Sequence, residues 1–246
     1  AIISKPKLIG VVYLTYESHK FLKDYFVQKG GEALQAFNSL KTKVEDIRAL
    51  DQMCGQKGAR HQGVVFELDI DRIYKNFETL KHDLKNNFHD TEGGKSKAIV
   101  ILNDLNDVQN VGAIIRSSAA FCAVGVVMGE YGEAHVTPAV AKASAGNIFK
   151  TNIYKIPNIN NAIRILKDAH YWVYGLEGSG DTSLHEVQFD TNCAIVVGSE
   201  GTGLKEETLK NCDFELSIPI APNCESLNAS NAVAVALYEF SKQNKL

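Results

Sequence analysis

Short apolar runs alternate with amphipathic segments through the second half of the chain, and this alternation limits the fold more than any other feature of the sequence. Buried strands are predicted at AIVILN (98–103), VGVVMG (124–129) and CAIVVGSEG (193–201). Helices are predicted between them at 110–123 and 159–169. Strands that alternate with helices form α/β folds with a mostly parallel sheet, whose ligands bind at the carboxyl ends of the strands. We therefore expect the loops after the strands to hold the functional residues.

The composition is typical of a soluble globular protein. Of the 246 residues, 45% are hydrophobic and 22% are charged, and no apolar run approaches the roughly 18 residues of a membrane span. The opening residues, AIISKPKLIG, do not resemble a secretory signal. The five cysteines form no CxxC pair and have no zinc-ligand spacing, so we expect reduced thiols, a cytoplasmic location and no metal site.

Charge is distributed unevenly along the chain, whose net charge is −3. Residues 1–97 contain 16 Lys and Arg against 13 Asp and Glu, whereas residues 98–246 contain 10 against 16. The positive excess fits a surface that faces a polyanion, and a merely solvated surface explains it equally well. The segment HDTEGGKSK is the strongest linker candidate. We predict a small α/β domain at 1–77, a linker at 78–97 and a second α/β domain at 98–246.

The first loop with candidate site residues is NDVQNVGAIIR (106–116), which follows a predicted strand. Gly112 allows close packing at the start of the next helix. Asn110 and Arg116 lie six residues apart in the first turns of that helix. Either they belong to a site, or Asn110 is the helix N-cap and Arg116 a surface residue.

The second loop is VVGSEGTGL (196–204), which has three glycines between an apolar strand and a helix. Such a loop resembles a phosphate cradle, so nucleotide binding is an alternative. However, GSEGTG does not match GxGxxG and lacks the lysine of a P-loop. Glu200 would also repel a phosphate, and its carboxylate better suits a hydroxyl-rich or cationic ligand.

The third stretch is IPIAPNCESLNASNAVAVALYEF (218–240), in which the apolar run 232–237 predicts a buried helix. Six polar residues precede that run within nine positions: Asn223, Glu225, Ser226, Asn228, Ser230 and Asn231. One of them can cap the helix, and burying the others unpaired would cost about 1–3 kcal/mol each. We expect them to meet a ligand, with simple capping and exposed neighbours as the alternative.

Arg60 and His61, in the turn ARHQGVV, are the candidates for RNA contact in the front half of the chain. For His61, a purely structural role at the end of the turn is the alternative. The other six histidines are scattered and support no metal site.

Taken in order, NVGAIIR, VVGSEGTGL and IPI…ESLNASNA resemble the three motifs of the SpoU (TrmH-type) RNA 2′-O-ribose methyltransferases of the SPOUT superfamily. The resemblance covers about residues 98–246, where VTPAVAKASAG and NCDFELSIPI also match the family. Residues 8–70 resemble, more loosely, the small RNA-binding domain that precedes the catalytic domain in the ribosomal-RNA members. The opening strand and helix of that domain have no counterpart here, so we expect it to be abbreviated at its start.

The resemblance implies a deep trefoil knot at about residues 196–246, bound S-adenosylmethionine and a homodimer that completes the site. It implies catalytic roles for Asn110, Arg116, Glu200, Ser226 and Asn228. It implies cofactor contacts for Leu176, Gly198, Ile218, Leu227, Ser226 and Asn228, and RNA contact for Arg116 beside Arg60 and His61. The implied function is methylation of a ribose 2′-OH of ribosomal RNA, with the large-subunit 23S rRNA favoured. The alternatives are a transfer-RNA substrate and RNA binding without catalysis.

Two positions depart from the family pattern. Val108 stands where the family often has proline, and Pro222 stands where it usually has glycine. Because proline fixes φ near −65° and lacks an N–H, contacts at 221–224 are expected to differ. For Arg116 two roles remain open: it accepts a proton with help from an RNA phosphate and Glu200 or Asn110, or it only clamps the phosphate.

Overall fold

The computed structural model describes two compact units, residues 1–73 and 74–246. Each unit has its own apolar core. The division between them differs from the predicted one, in which a domain ended at residue 77 and a linker followed at 78–97. The residues whose structure is described are 5–55, 61–86, 88, 96–132 and 134–245.

The first unit contains a three-stranded sheet in the order β2-β1-β3, with β2 parallel and β3 antiparallel to β1. Its packing centres on the stacked rings of Phe26 and Phe37, whose centroids are 4.8 Å apart. The second helix and the second strand were not predicted. In chain order the elements are β1 (Ile9–Leu14), α1 (Tyr16–Lys29), α2 (Gly31–Asn38), β2 (Thr42–Val44), α3 (Ile47–Met53) and β3 (Val64–Leu68).

The second unit contains an eight-stranded sheet in the order β4-β7-β6-β5-β10-β8-β11-β9, and all of its described pairings are parallel. This confirms the expected α/β fold with a mostly parallel sheet. The elements are β4 (Tyr74–Lys75), α4 (Phe77–Lys85), β5 (Lys97–Leu102), α5 (Val108–Ala120), β6 (Gly125–Gly129), α6 (Pro138–Ala143), β7 (Ile153–Ile156), α7 (Ile159–Asp168), β8 (Trp172–Leu176), β9 (Thr182–Ser183), β10 (Asn192–Val197), α8 (Glu206–Leu209), β11 (Phe214–Ser217) and α9 (Ala229–Asn244).

The central strands are apolar along almost their whole length because helices cover both faces of a parallel sheet. An aromatic cluster joins the last helix to this sheet. The ring of Tyr174 lies 4.9 Å from Phe189 and 5.1 Å from Phe214, and Phe189 lies 5.9 Å from Phe240 of α9. In the described part of the chain, no helix is both long and apolar enough to cross a membrane.

Helix α4 lies inside the predicted linker at 78–97, so that prediction was wrong for residues 78–85. Phe77, Leu80 and Leu84 give the helix one apolar face among many charged residues. Leu80 is fully buried in the core of the second unit, and the other two pack against that core. The high charge of this segment concealed the i, i+3, i+7 spacing that marks an amphipathic helix.

Asp83 of α4 ties the helix to the sheet. Its Oδ2 atom accepts hydrogen bonds from Lys75 Nζ at 2.8 Å and from Tyr154 Oη at 2.6 Å. Burial alone would raise the pKa of Asp83, but the hydrogen bonds from Lys75 and Tyr154 outweigh it and lower the pKa below its usual value. The charged carboxylate therefore stabilises the docking of α4.

We predict that Asp83→Asn lowers the free energy of unfolding at pH 7 by about 1–2 kcal/mol, because the replacement keeps the shape but loses charge-assisted hydrogen bonds. The folded-state pKa of Asp83 lies below its unfolded value of about 3.9, so its stabilisation is present above that value. It is lost as the pH falls through the lowered folded pKa.

Urea unfolding of both proteins across the acid range measures this effect, and the difference should shrink towards zero at low pH. The matched control is Glu78→Gln on the same helix, whose carboxylate is exposed and pairs with Lys81. A constant difference between wild type and Asp83→Asn at all pH values would contradict the assignment.

Candidate functional site

The direction in which strands are added to the sheet changes at β5. After β5 the chain forms β6 and β7 on one side, and it later places β10 and β8 on the other. In open parallel sheets, ligands bind in the crevice outside the carboxyl ends of the strands at such a switch point. Here that crevice lies between β5 and β10, whose last residues Leu102 and Val197 are paired. The residues that follow these two ends are the first candidates for a site.

Three side chains from separate segments form a hydrogen-bonded group at this crevice, which we call the Asn–Glu–Asn cluster: Asn110, Glu200 and Asn228. Asn110 Nδ2 and Asn228 Nδ2 both donate to Glu200 Oε1, at 2.7 and 2.5 Å. Asn228 Nδ2 also lies 2.9 Å from Asn110 Oδ1, to which it donates. Asn110 is buried, whereas Glu200 and Asn228 are exposed. The buried Asn110 therefore holds the Glu200 carboxylate in a fixed position where it faces solvent.

Helix α5 positions Asn110. Asp107 caps the helix by accepting from Gln109 N at 2.8 Å, so Asn110 lies in the first turn and is not the N-cap. Gly112 allows α5 to approach α6, because a Cβ at this position would overlap the Cβ of Ala143. The close approach gives the glycine of the first motif a packing function.

A tight loop after β10 positions Glu200. Gly203 N donates to Ser199 O at 3.1 Å, and Gly201 and Gly203 adopt positive φ angles of 89° and 66°. Gly198 is buried directly after the strand, where a Cβ would overlap the backbone of Gly203. The three glycines thus fold the loop back on itself with Glu200 at its tip.

Asn228 positions the last helix. Its Oδ1 caps α9 by accepting from Ser230 N at 2.9 Å, while its Nδ2 donates to the cluster. The capping role that the sequence left open therefore belongs to Asn228, whose side chain also joins the cluster. Its carboxamide joins the start of α9 to α5 and to the Glu200 loop.

Three of the predicted cofactor residues lie at the carboxyl ends of neighbouring strands. Leu176 ends β8, Gly198 follows β10, and Ile218 follows β11. These strands are adjacent in the sheet, and Leu176 pairs with both Val197 and Leu216. The structure therefore brings the three residues to one edge of the sheet, beside the Asn–Glu–Asn cluster.

The stretch before α9 is more exposed than the sequence predicted. Residues 221–228 are all exposed, among them Ser226 and Leu227, the latter with 36% of its surface accessible. This exposure matches the alternative of simple capping with exposed neighbours, in which Asn228 is the cap. In the described chain, Asn228 is the residue of this stretch whose side chain joins the cluster, and Ser226 contributes only a backbone oxygen that accepts from Cys224 Sγ at 3.4 Å.

Arg116 is exposed on α5, about 9 Å along the helix axis from Asn110 and about 120° around it. Within the described part of the chain it has no hydrogen bond or ion pair. The structure therefore does not bring Arg116 to Glu200 or Asn110, and its guanidinium is free to bind an external group.

His61 has a structural role, which contradicts its prediction as an RNA contact. Its Nδ1 accepts from Gly63 N at 3.0 Å, so the proton lies on Nε2, which donates to Asp51 at 3.1 Å. Only 5% of its side chain is accessible. Arg60, the other predicted RNA contact, lies outside the described residues.

Glu177 is a site candidate that the sequence reasoning missed. It follows β8 directly and brings a second carboxylate to this edge, where a Cβ on Gly203 would lie 2.8 Å from Glu177 Oε2. The signal was the same as for Glu200, a glutamate after an apolar strand. Within the described ranges, no group of three His, Cys, Asp or Glu residues could hold a metal ion.

Known proteins resemble this chain in sequence. It is 33% identical over 199 residues to a 23S rRNA (guanosine-2′-O-)-methyltransferase RlmB of Xylella fastidiosa, covering 81% of this chain and 76% of the relative. It is 32% identical over 229 residues to a protein of Staphylococcus saprophyticus named as a TrmH family tRNA/rRNA methyltransferase, covering 92% and 89%. An uncharacterized tRNA/rRNA methyltransferase of Mycolicibacterium gilvum is 36% identical over 197 residues, and this chain spans only 60% of its length.

The fold also matches solved structures. The SpoU methyltransferase AviRb from Streptomyces viridochromogenes, solved in complex with AdoMet, superposes with a TM-score of 0.72 at 20% identity. The match covers 99% of this chain and 86% of AviRb. Residues 97–238 match the SpoU rRNA Methylase family. Because the family match includes more than half of the chain and all three motifs, this protein belongs to the SpoU methylase family.

Proposed function

We propose that this protein is an S-adenosylmethionine-dependent RNA methyltransferase that methylates a ribose 2′-OH of ribosomal RNA. The observation that carries the proposal is the Asn–Glu–Asn cluster at the switch point of a SpoU-family sheet. The name of the Xylella relative supports the 2′-O position and favours large-subunit rRNA. Transfer RNA is the alternative substrate, because the name of the Staphylococcus relative includes both RNAs. RNA binding without catalysis would not require the three residues to be held together.

The residues at the edge fit S-adenosylmethionine, which carries a positively charged sulfonium and ammonium. Glu177 and Glu200 supply carboxylates that attract a cation. Leu176 and Ile218 supply apolar side chains, and Gly198 lets the Glu200 loop pack closely against the end of β10. When bound, S-adenosylmethionine supplies a methyl group that is already activated for transfer. The protein therefore needs to hold the ribose oxygen in line with that group, which can remove several kcal/mol of barrier, up to about 7–11 in the best cases.

Arg116 is proposed to hold the RNA. Its planar guanidinium suits bidentate contact with a phosphate, and no described residue engages it. Proton loss from the 2′-hydroxyl then goes either to Arg116, assisted by the bound phosphate, or to the phosphate and solvent. Because Arg116 contacts neither Glu200 nor Asn110, the role of phosphate clamp is favoured over the role of proton acceptor.

The first unit offers a surface for RNA. Helix α1 exposes Tyr16 and Phe21 to 70% and 69%, and the exposed Lys20 and Lys23 lie on the same helix. Aromatic side chains interleaved with lysines bind unpaired nucleotides by stacking and by phosphate contact. This surface supports RNA as the partner.

We also infer that the chain from about residue 196 to 246 forms a trefoil knot. Two observations support the inference. The late strand β10 lies between β5 and β8, so the chain inserts a strand between earlier ones. Asn228 then contacts Asn110, 118 positions earlier in the sequence.

A second copy of this chain is proposed to cover the outer face of α9. Val235 and Tyr238 expose 39% and 57% of their surface on adjacent turns, and Tyr238 lies 6.1 Å from Phe121 beside α5. A two-fold interface uses the same patch on both subunits, which suits one compact apolar face. We therefore propose a homodimer.

The proposed reaction is tested by mapping ribose methylation in ribosomal and transfer RNA by mass spectrometry, from cells with and without this protein. We expect one 2′-O-methyl nucleotide in large-subunit rRNA to disappear with the protein and to return when purified protein and S-adenosylmethionine are added. Loss of a transfer-RNA site instead would establish the alternative substrate. Identical maps would refute the function.

We predict that Arg116→Ala lowers turnover by about 100-fold or more, because without the phosphate clamp the reacting hydroxyl is no longer held in position. The dissociation constant for S-adenosylmethionine should change by less than about threefold, since Arg116 makes no contact with the cofactor edge. Single-turnover methylation and calorimetry measure the two quantities. Arg164→Ala, an exposed arginine of α7, is the control. Equal losses in turnover and cofactor affinity would remove Arg116 from the reaction.

We predict that Tyr238→Glu converts the dimer to a monomer, because it buries a charge at the centre of the proposed interface. Sedimentation equilibrium over a range of protein concentrations measures the change. Tyr131→Glu is the control, since Tyr131 is 82% exposed and lies outside α9. A variant that dimerises as the wild type does would place the interface elsewhere.

A further inference from the structure

At the carboxyl edge of the sheet, one buried side-chain oxygen has no hydrogen-bond partner among the described residues. Asn103 directly follows β5 and is only 6% exposed, and its Oδ1 atom is buried without a hydrogen bond. Buried polar groups in native proteins are nearly always paired, so such an exception needs an explanation. Three other buried atoms in the described part of the chain share this property, on Ser118, Asn160 and Tyr171. Among the four residues, Asn103 is the one that immediately follows a strand.

Asn103 lies between the proposed cofactor residues at the ends of β10 and β8 and the segment that leads into α5. Strands β5 and β10 end in register at Leu102 and Val197, so Asn103 and Gly198 are the next residues of neighbouring strands. Asn103 N donates to Val197 O at 2.9 Å, which fixes this alignment. On one side of Asn103 is the proposed cofactor edge of β10 and β8, and on the other the chain continues into α5.

The loop after Asn103 is held on two sides. Asp104 adopts a positive φ of 60° and forms an ion pair with Lys205. Leu105 O accepts from Ala134 N at 2.9 Å, and Leu105 is itself buried. With its neighbours fixed in this way, Asn103 stays at the edge, and no described residue donates to its Oδ1.

We propose that Asn103 is a ligand-binding residue whose Oδ1 accepts a hydrogen bond from a ribose hydroxyl. A carboxamide oxygen needs a donor, and a hydroxyl can supply one. This inference rests on the proposed function, in which both reacting molecules carry ribose: S-adenosylmethionine and the target nucleotide. The buried acceptor would then be satisfied only in the complex.

Asn103→Leu separates this role from a structural one, because leucine has the same branched skeleton of heavy atoms and lacks the unpaired carboxamide. The variant should be as stable as the wild type or more stable, since it buries no unpaired polar group. Its affinity for one ribose ligand should fall at least about fivefold, the effect of losing one hydrogen bond. The two properties therefore change in opposite directions.

The experiment uses the full chain and three readouts: thermal unfolding, calorimetric titration with S-adenosylhomocysteine, and the KM for rRNA from cells that lack the protein. Weaker binding of S-adenosylhomocysteine assigns the contact to the cofactor ribose. A raised KM for RNA with unchanged cofactor affinity assigns it to the nucleotide. Tyr171→Phe, which removes an unpaired buried hydroxyl next to the start of β8, is the control and should change neither binding quantity.

Asn103→Leu that is folded and binds both ligands as the wild type does would overturn the inference and leave the proposed function standing. If Asn103→Leu does not fold, Asn103→Ser replaces it, because serine keeps a smaller polar group that is too short to reach the same hydroxyl. Wild-type protein that binds no S-adenosylhomocysteine and methylates no RNA would end both proposals.

Discussion

A single carboxylate oxygen of Glu200 organises the candidate site. It accepts amide hydrogen bonds from Asn110 and Asn228, residues that lie 90 positions before it and 28 after it. Hydrogen bonds to a charged acceptor are roughly twice as strong as those between neutral groups. The same contact also satisfies the amide of Asn110, which is buried. Removing the carboxylate would therefore loosen three segments at once.

Polar and apolar residues of the last helix stabilise the site in different ways. Asn228 fixes the start of α9 to the cluster, and Phe240 fixes the rest of the helix to the aromatic cluster of the sheet. The polar contact has a directional geometry, whereas the apolar contact supplies most of the burial. Precision at the edge therefore depends on packing more than 10 residues away along the helix.

The alternation of apolar strands and amphipathic helices predicted the parallel α/β sheet, and the resemblance to the three SpoU motifs singled out the members of the Asn–Glu–Asn cluster. The predictions from sequence failed where charged or polar residues obscured the pattern. The charges around Leu80 concealed α4, and the polar residues around Ser226 left open whether they are exposed, as they are in the structure. For His61 the sequence left open a structural role in its turn, and the partner that local sequence does not reveal is Asp51, ten residues earlier. The missing contact between Arg116 and Asn110 follows from their six-residue spacing on α5, which turns the two side chains about 120° apart.

The wide sequence separation within the cluster has a consequence for synthesis of the protein. Asn110 and Glu200 are translated before Asn228, which lies immediately in front of the final long helix. A nascent chain therefore has the sheet strands through β11 before it can close the hydrogen bonds of the cluster. Domains fold while they emerge from the ribosome, at about 5–20 residues per second. The Asn–Glu–Asn cluster consequently forms only at the end of translation, and a chain that ends before Asn228 cannot form it.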